Sequence, residues 1–234
     1  MKRVVVTGAT KGIGRAIAEI FAENNFSVCV CARTGEDLER MSEGWASSFP
    51  GRELLTFQAD MSDSRQAAHF GAWIVEKWGG ADVLVNNAGL YEPGLILNGD
   101  DGALERLMNL NLYGTYHLTR ALIPSFVTRG NGHIFNMCSI ASQAPYHGSS
   151  LYSITKFALL GFSRCLREEL KSYGVRVTAL LPGNTQSDAW NGVELPARRI
   201  MEPSDVASAV WGCYCLPGVA VAEELVIRPQ LGDL

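Results

Sequence analysis

Short apolar runs alternate with longer amphipathic stretches along almost the whole chain. Runs such as the valines at 4–6 and the stretch 175–181 are apolar at nearly every position, which indicates strands covered on both faces. A steady alternation of strand and helix is typical of parallel sheets with right-handed crossovers. The pattern therefore predicts a doubly wound α/β fold that forms a single domain over residues 1–234.

The predicted elements follow one another in strict alternation until the last strand. The strands are Arg3–Thr7, Ser27–Cys31, Glu53–Gln58, Val83–Asn86, His133–Cys138, Val175–Leu181 and Glu224–Ile227. The helices are Ile13–Glu23, Glu36–Ser47, Ser64–Trp78, Leu104–Val127, Leu151–Ser172 and Ser204–Tyr214. Doubly wound sheets bind ligands at the carboxyl ends of their strands, so the residues after each strand are the candidates for a site.

Composition and charge exclude several function classes. The 234 residues are 47% hydrophobic and 19% charged, with a net charge of −4, which argues against nucleic acid or an anionic membrane as partner. No apolar run approaches the ~18 residues of a membrane span, and the short run after the first two basic residues favours a strand over a secretory signal. We expect a cytoplasmic protein. The six cysteines and four histidines show no metal-ligand spacing, so no metal site is expected.

A glycine-rich turn follows the first strand. In TGATKGIG, three glycines (Gly8, Gly12 and Gly14) lead directly into a helix. The spacing differs from the commoner G-x-G-x-x-G, but it offers the same tight turn and the same helix N-terminus facing a pyrophosphate. The turn predicts nucleotide binding, and a purely structural turn is the alternative.

The ends of the next two strands indicate which nucleotide is bound. An NAD site usually has an acid after the second strand, whereas this chain has Ala32 and Arg33, with Lys11 in the glycine loop near the same ribose. These cations favour a ribose phosphate, and hence NADP. After the third strand, Asp60 either accepts a hydrogen bond from the adenine amino group or caps the helix that begins near Ser64.

Two further motifs stand out. Asn86-Asn87-Ala88-Gly89 follows the fourth strand, which suits backbone that a ligand approaches closely, although an ordinary loop could hold the same residues. On a later predicted helix, Tyr152 and Lys156 lie four residues apart and share a flank. The core-facing stripe of that helix is predicted as Leu151, Ile154, Ala158 and Phe162. Taken alone, the pair could be a lysine stem covering a half-buried tyrosine.

Together these motifs resemble the short-chain dehydrogenase/reductases. The resemblance rests on TGATKGIG, Asp60, NNAG, Asn111, Ser139, Tyr152-x-x-x-Lys156 and Pro182-Gly183, and it covers nearly the whole chain. It implies a seven-stranded Rossmann fold, oxidoreductase activity with a nicotinamide cofactor, and a homodimer or homotetramer. By position, Tyr152 is the catalytic acid/base, Lys156 its partner, Ser139 the substrate-orienting hydroxyl and Asn111 a proton-relay residue. The implied cofactor contacts are Gly8, Thr10, Lys11, Gly12, Ile13, Gly14, Arg33, Asp60, Asn87, Ala88, Gly89, Tyr152, Lys156, Pro182, Gly183 and Thr185.

The resemblance also bears on the substrate and on assembly. The short segment 188–202 covers the substrate in this family, and its Trp190, Leu195 and Ile200 either line an apolar pocket or pack within the lid. His147 is either a substrate contact or a surface residue. Family members pair through two long helices, here Leu104–Val127 and Leu151–Ser172, and Phe157, Leu160 and Cys165 are the apolar residues expected at that contact.

We predict an enzyme that reduces a ketone or aldehyde with NADPH, similar to the compact carbonyl reductases related to sepiapterin reductase. The alternative is a 3-oxoacyl-carrier-protein reductase, whose acidic carrier would favour a basic rim such as Arg129, Arg198 and Arg199. A nucleotide sensor without enzymatic activity is a further alternative, but it would lack an intact tyrosine–lysine pair.

Overall fold

The computed structural model describes residues 1–190, 192–196 and 198–234. Seven parallel strands form one sheet in the order β3-β2-β1-β4-β5-β6-β7. The strands are β1 (Lys2–Thr7), β2 (Phe26–Ala32), β3 (Leu54–Gln58), β4 (Val83–Asn86), β5 (Gly132–Met137), β6 (Val175–Pro182) and β7 (Glu224–Ile227). The predicted doubly wound Rossmann fold and its seven strands are confirmed.

Seven α-helices cover the two faces of the sheet in the described part of the chain. They are α1 (Gly12–Glu23), α2 (Gly35–Ser48), α3 (Ser64–Trp78), α4 (Ala103–Met108), α5 (Thr115–Arg129), α6 (Ser150–Leu170) and α7 (Pro203–Tyr214). Alternate residues of β1 enter opposite cores, as the two-residue period of a strand requires. Val4 and Val6 pack with α1, α2 and α7, whereas Val5 packs with α3, α5 and α6.

The strand order reverses between β1 and β4. From β1 the chain proceeds to β2 and β3 on one side, and it then returns to build β4 to β7 on the other side. The loops that leave β1 and β4 therefore diverge and open a crevice at the carboxyl edge of the sheet. This crevice separates the glycine loop from the NNAG segment and fixes the position of the site.

The long helix predicted over Leu104–Val127 is interrupted. A π-helical turn over Asn109–Gly114 joins α4 to α5, and such turns are frequent at functional sites. Gly114 lies so close to the carbonyl oxygen of Met61 that a Cβ at this position would overlap with it. The turn thus allows the helix to approach the loop after β3, a contact that helical periodicity does not reveal.

The core-facing stripe predicted for α6 is wrong in part. Ile154 is 38% exposed, whereas Lys156 and Leu160 are buried. The buried face of α6 also holds Ser153, Thr155 and Ser163, each of which forms side-chain hydrogen bonds within the protein. Apolar residues alone could not locate this face, because a large share of it is polar. Leu160 packs in a core cluster of the subunit and is not available at an interface.

Candidate functional site

Thr7 joins the two loops that flank the crevice. It is the last residue of β1, and its Oγ1 accepts hydrogen bonds from the backbone nitrogens of Asn87, at 3.0 Å, and Ala88, at 2.9 Å. The Asn87 side chain forms two further hydrogen bonds to the glycine loop. Its Nδ2 donates to the carbonyl oxygens of Thr7, at 2.9 Å, and Gly8, at 3.1 Å. These four hydrogen bonds fix the glycine loop against the NNAG segment.

The glycines of the loop are required by this close approach. Gly8 has a φ of +63°, and a Cβ on it would come within 3.1 Å of the Ala88 Cα. A Cβ on Gly14 would overlap with the Asn87 amide and the Gly8 carbonyl oxygen. Asn87 was predicted to touch the cofactor, and the structure shows that its amide nitrogen is used to hold the loop.

The N-terminus of α1 is open to an anion. The helix begins at Gly12, and the residue before it, Lys11, makes no side-chain cap hydrogen bond. The first turn contains no acidic residue. Uncapped N–H groups and the positive end of the helix dipole favour a phosphate group, so this end fits a pyrophosphate.

The end of β2 carries the predicted ribose contacts. Ala32 is half-buried and Arg33 is exposed. Among the hydrogen bonds described for the chain, none involves the Arg33 guanidinium, whereas Lys11 forms an exposed salt bridge with Asp188. Lys11 therefore has to leave Asp188 before it can bind a phosphate. Arg33 has no described side-chain partner to leave.

Asp60 does not cap α3. The cap is Asp63, whose side chain accepts from the backbone nitrogens of Arg65 and Gln66, and these hydrogen bonds lower the pKa of the Asp63 carboxyl. Asp60 instead accepts from the backbone nitrogen and the hydroxyl of Ser62, both at 2.8 Å. The capping alternative is thereby eliminated.

Lys156 lies at the centre of the candidate active site. The residue is only 5% exposed, and its Nζ donates to the Met137 carbonyl oxygen at 2.8 Å. The same Nζ lies 5.6 Å from the centre of the Tyr152 ring. An ammonium group has three N–H donors, so two are left for a ligand. A buried lysine with spare donors fits the hydroxyl groups of a nicotinamide ribose.

Tyr152 and Ser139 lie beside this lysine in one cavity. The Tyr152 ring packs edge-on against Tyr91, with 5.1 Å between ring centres. Ser139 follows β5, and its Oγ accepts from the Ala141 backbone nitrogen at 3.1 Å, which orders the short helical turn over 140–142. A hydroxyl that accepts in this way keeps its own hydrogen available to donate.

Asn111 is buried in the π-helical turn and is not among the residues that line the cavity. Its Oδ1 accepts from the Leu90 backbone nitrogen at 2.7 Å, and its Nδ2 donates to the Leu90 carbonyl oxygen at 3.0 Å and to Thr155 Oγ1 at 2.9 Å. The side chain thus joins the segment after NNAG to α6.

The cavity has a volume of about 460 Å³ and lies at the carboxyl edge of the central strands. The predicted site residues that line it are Ile13, Asn87, Gly89, Ser139, Tyr152, Lys156, Pro182, Gly183 and Thr185. The other predicted cofactor contacts on the glycine loop lie outside this cavity, along the same edge of the sheet. The same is true of the predicted cofactor contacts after β2 and β3. Trp190 also lines the cavity, whereas Leu195 and Ile200 do not. His147 is exposed and does not line it.

The sequence analysis did not predict Tyr91 and Tyr146, two aromatic residues that line the cavity. The Tyr146 hydroxyl donates to Asn184 Oδ1 at 3.1 Å. Tyr91 lies two residues after NNAG, the motif at the end of β4. Its position shortly after a strand is a local signal that could have identified it. Tyr146 and Asn184 lie 38 residues apart, and only the fold brings them together.

The C-terminal tail supports the wall of the cavity. Asp233 is almost fully buried; it accepts from the Asn184 backbone nitrogen at 2.9 Å and pairs with Arg228. A Cβ on Gly183 would overlap with the Asp233 carboxylate, so this position requires glycine. Arg199 donates to the Gly232 carbonyl oxygen at 2.7 Å and so ties the lid segment to the tail.

Helical membrane spans and clusters of metal ligands are both absent from the described part of the chain. None of its helices combines the length and the apolar character that a membrane span needs. Nor do three or more histidine, cysteine, aspartate or glutamate side chains come together there in a way that could hold a metal ion.

Comparison with known proteins identifies the family. The model of the short-chain dehydrogenase family matches residues 2–196. The chain belongs to this family. The predicted class of enzyme, an oxidoreductase with a nicotinamide cofactor, is thereby confirmed.

Relatives and solved structures agree with this assignment over the whole length. The chain is 35% identical to the sepiapterin reductase of Chlorobaculum tepidum, covering 100% of this chain and 99% of that protein. It is also 35% identical to the NADP-dependent 3-hydroxy acid dehydrogenase YdfG of Salmonella typhi, over 92% of this chain and 89% of the relative. An alcohol dehydrogenase of the archaeon Thermococcus sibiricus, crystallised with 5-hydroxy-NADP, matches with a TM-score of 0.90 at 26% identity, covering 100% of this chain and 99% of the archaeal chain.

The hydroxyl of Thr7 gives a first testable prediction. Thr7→Val keeps the branched shape and removes the acceptor, so the Ala88 backbone nitrogen loses its partner, whereas the Asn87 backbone nitrogen keeps the Val85 carbonyl oxygen at 3.1 Å. An unpaired buried donor costs about 1–3 kcal/mol. We expect the free energy of unfolding, measured by urea denaturation, to fall by about 1–3 kcal/mol, and cofactor affinity, measured by fluorescence titration, to weaken. Thr7→Ser keeps the oxygen and is the control; equal loss in both variants would rule out the hydroxyl as the cause.

Proposed function

We propose that this protein transfers a hydride from NADPH to the carbonyl carbon of a ketone or aldehyde and so produces an alcohol. The observation that carries the proposal is the convergence of Tyr152, Ser139 and Lys156 on one cavity next to the glycine loop. The similarity to a sepiapterin reductase over the full length supports a carbonyl reductase. The cytoplasmic location expected from the sequence stays a prediction.

The chain's own groups fit the cofactor along the whole carboxyl edge. The uncapped N-terminus of α1 would hold the pyrophosphate, and the spare donors of Lys156 would hold the nicotinamide ribose. Gly89 allows close approach at the same place, because a Cβ there would come within 3.2 Å of Asn111 Oδ1 and 3.5 Å of Lys156 Nζ. When bound, the cofactor supplies the hydride.

Tyr152 is the proposed proton donor. Among the described hydrogen bonds none involves its hydroxyl, so the O–H is available to the substrate's carbonyl oxygen. Proton transfer leaves a phenolate, which the Lys156 ammonium stabilises by Coulomb attraction. Ser139 donates to the same carbonyl oxygen as negative charge develops on it.

Asn111 acts in this proposal as a positioning residue. Its amide is fully used by Leu90 and Thr155, one residue before Lys156. It therefore holds α6 and the segment after NNAG at a fixed separation. The proton-relay role that the family resemblance implies for Asn111 stays a prediction.

The alternative functions receive less support. Two of the three arginines considered for a carrier-protein rim are engaged with backbone: Arg129 donates to Ala81 and Ser125, and Arg199 donates to Gly232 and Asp233. A sensor without enzymatic activity does not need the proton donor, the lysine and the serine at one cavity. We therefore favour the carbonyl reductase.

Arg33 is the main proposed basis for the choice of NADPH over NADH. Ala32 leaves no acid to repel a ribose phosphate, and the Arg33 guanidinium can bind phosphate oxygens through two parallel N–H groups. The exposed pair of Lys11 with Asp188 is worth about 0–1 kcal/mol, so Lys11 can exchange it for the phosphate at little cost. Both cations are therefore available when the nucleotide binds.

A second proposal concerns assembly. On the face formed by the π-helical turn, α5 and α6, four large side chains are exposed: Tyr113 (45%), Tyr116 (37%), Ile154 (38%) and Phe157 (43%). This face includes the two long helices predicted to form the contact between subunits, and it adds the π-helical turn to them. We propose that a second copy of the chain packs on it about a twofold axis. Cys165 is exposed on the same helix. We propose a homodimer, or a homotetramer that contains it.

The proton-donor assignment is tested with Tyr152→Phe. Removal of one hydroxyl should leave NADPH affinity, measured by fluorescence titration, within about twofold, while turnover falls by about a hundredfold or more. Lys156→Ala should impair both turnover and NADPH binding, because the ammonium serves both. A rate for Tyr152→Phe above a tenth of wild type would show that another group donates the proton.

Cofactor preference is tested by comparing kcat/KM for NADPH and NADH. Charged hydrogen bonds contribute about 1.5–3 kcal/mol each, and about 1.4 kcal/mol is tenfold, so after discounting for solvent we expect NADPH to be preferred by about a hundredfold. The preference should weaken at high salt. The double variant Ala32→Asp/Arg33→Ala should reverse it, and Lys11→Ala alone should reduce it about fivefold or less. Equal use of both cofactors by wild type would contradict the proposal.

The oligomeric state is tested by light scattering at micromolar concentration. Wild type should have at least twice the mass of one chain. Phe157→Lys places a charge on the proposed contact and should yield monomers that keep their secondary structure. Val75→Lys, at a residue 37% exposed on α3, is the matched control and should leave the mass unchanged. A monomeric wild type would overturn the proposal.

A further inference from the structure

The cavity lacks a group that could pair with a charged substrate. Among the lining residues that the structure describes, Lys156 is the one with a charged side chain. Its Nζ lies deep in the site, beside the Met137 carbonyl oxygen and the Tyr152 ring. In the proposed function its remaining donors serve the cofactor ribose and the proton donor. A substrate carboxylate or phosphate would therefore find no counter-ion in this cavity.

Three cations close to the rim are engaged within the protein. Lys11 pairs with Asp188, and Arg228 pairs with Asp233. Arg199 donates to the carbonyl oxygens of the tail. A carboxylate thus balances the charge of Lys11 and of Arg228, whereas neutral carbonyl oxygens hold Arg199, and none of the three lines the cavity. An anion inside the cavity would therefore stay unpaired, which is costly.

Several of the uncharged polar groups of the cavity are used as well, whereas the buried Asn184 Nδ2 has no hydrogen-bond partner among the described residues. The Tyr146 hydroxyl donates to Asn184 Oδ1, and the Tyr91 hydroxyl forms a 2.9 Å hydrogen bond with Ser149. Thr185 Oγ1 donates to the Gly183 carbonyl oxygen at 3.0 Å. The hydroxyl ends of both tyrosines are therefore held by the protein, and their rings are left for apolar contact.

The outer part of the cavity is apolar and partly open to solvent. Leu90 is 39% exposed, Tyr91 44% and Val193 50%, and Trp190 lies beside them in the lining. A ligand that covers these side chains gains the free energy of removing their surface from water. Aromatic rings add favourable edge and face contacts with a planar group.

From this distribution we infer that the substrate is a neutral carbonyl compound with an apolar, preferably planar, group next to the carbonyl, and that it bears no carboxylate or phosphate. The inference rests on the proposed function and deepens it. The carbonyl oxygen lies at Tyr152 and Ser139, and the apolar group lies against Tyr91, Tyr146 and Trp190. This substrate class differs from the 3-hydroxy acid after which the Salmonella typhi relative is named.

The test compares pairs of substrates in which a neutral ester replaces a carboxylate. Wild type and NADPH are supplied with methyl benzoylformate and with benzoylformate, which share the ketone and the phenyl ring and differ in an ester against a carboxylate. We expect kcat/KM to be at least about thirtyfold higher for the ester, because the carboxylate stays unpaired in the cavity. The same ratio is measured with ethyl 3-oxobutanoate and 3-oxobutanoate.

The second part of the test introduces a positive charge at the rim of the cavity. Val193→Arg places a guanidinium in the lining, and Val193→Met is the neutral control of comparable length. The ratio of kcat/KM for acid over ester should rise at least tenfold in Val193→Arg relative to Val193→Met. An unchanged ratio would overturn the inference that a missing counter-ion excludes the acids.

The outcomes separate this inference from the proposed function. If wild type reduced the acids as well as or better than the esters, the inference on substrate class would fall and the carbonyl reductase would stand. If wild type reduced neither the esters nor the acids with NADPH or NADH, the proposed function would fall and the inference with it. Reduction of the esters with rejection of the acids supports both.

Discussion

The hydroxyl of Thr7 accepts hydrogen bonds from the backbone nitrogens of Asn87 and Ala88, and it thereby joins the ends of two neighbouring strands at the point where the sheet reverses its order. Without this connection the glycine loop and the NNAG segment would be two independent loops at the edge of a crevice. With it, the N-terminus of α1 and the backbone at Gly89 form one rigid surface. The rest of the site is built outward from this surface.

The second constraint is the burial of Lys156. A lysine that is only 5% exposed needs its hydrogen-bonding capacity satisfied, and the Met137 carbonyl oxygen satisfies one donor. The other two donors are left for the cofactor ribose and the proton donor in the proposed function. The same helix buries Ser153, Thr155 and Ser163 through their own hydrogen bonds. The polar face of α6 therefore serves the site, and the apolar residues that the helix leaves exposed, such as Phe157, are those at which we propose that a second copy of the chain packs.

Predictions from local sequence patterns were correct where one physical cause, such as burial on both faces of a sheet, produces both the pattern and the structure. The strand–helix alternation located all seven strands, because a strand buried on both faces must be apolar throughout. The stripe on α6 failed at Ile154 because apolar periodicity cannot recognise a buried face made partly of serine, threonine and lysine. The π-helical turn at Asn111 was missed because it depends on contacts with Leu90 and Thr155, which lie 21 and 44 residues away.

The sequence by itself determined the fold class, the family and the order in which the candidate residues appear along the carboxyl edge. These properties follow from short-range patterns: the periods of strand and helix, the glycine spacing, and the position of each motif just after a strand. Only the tertiary structure decided the walls of the cavity. Tyr146 meets Asn184 across 38 residues, and Asp233 supports Asn184 across 49. Contacts of this range depend on how the lid and the tail pack on the finished sheet, and no local pattern in the chain specifies that packing.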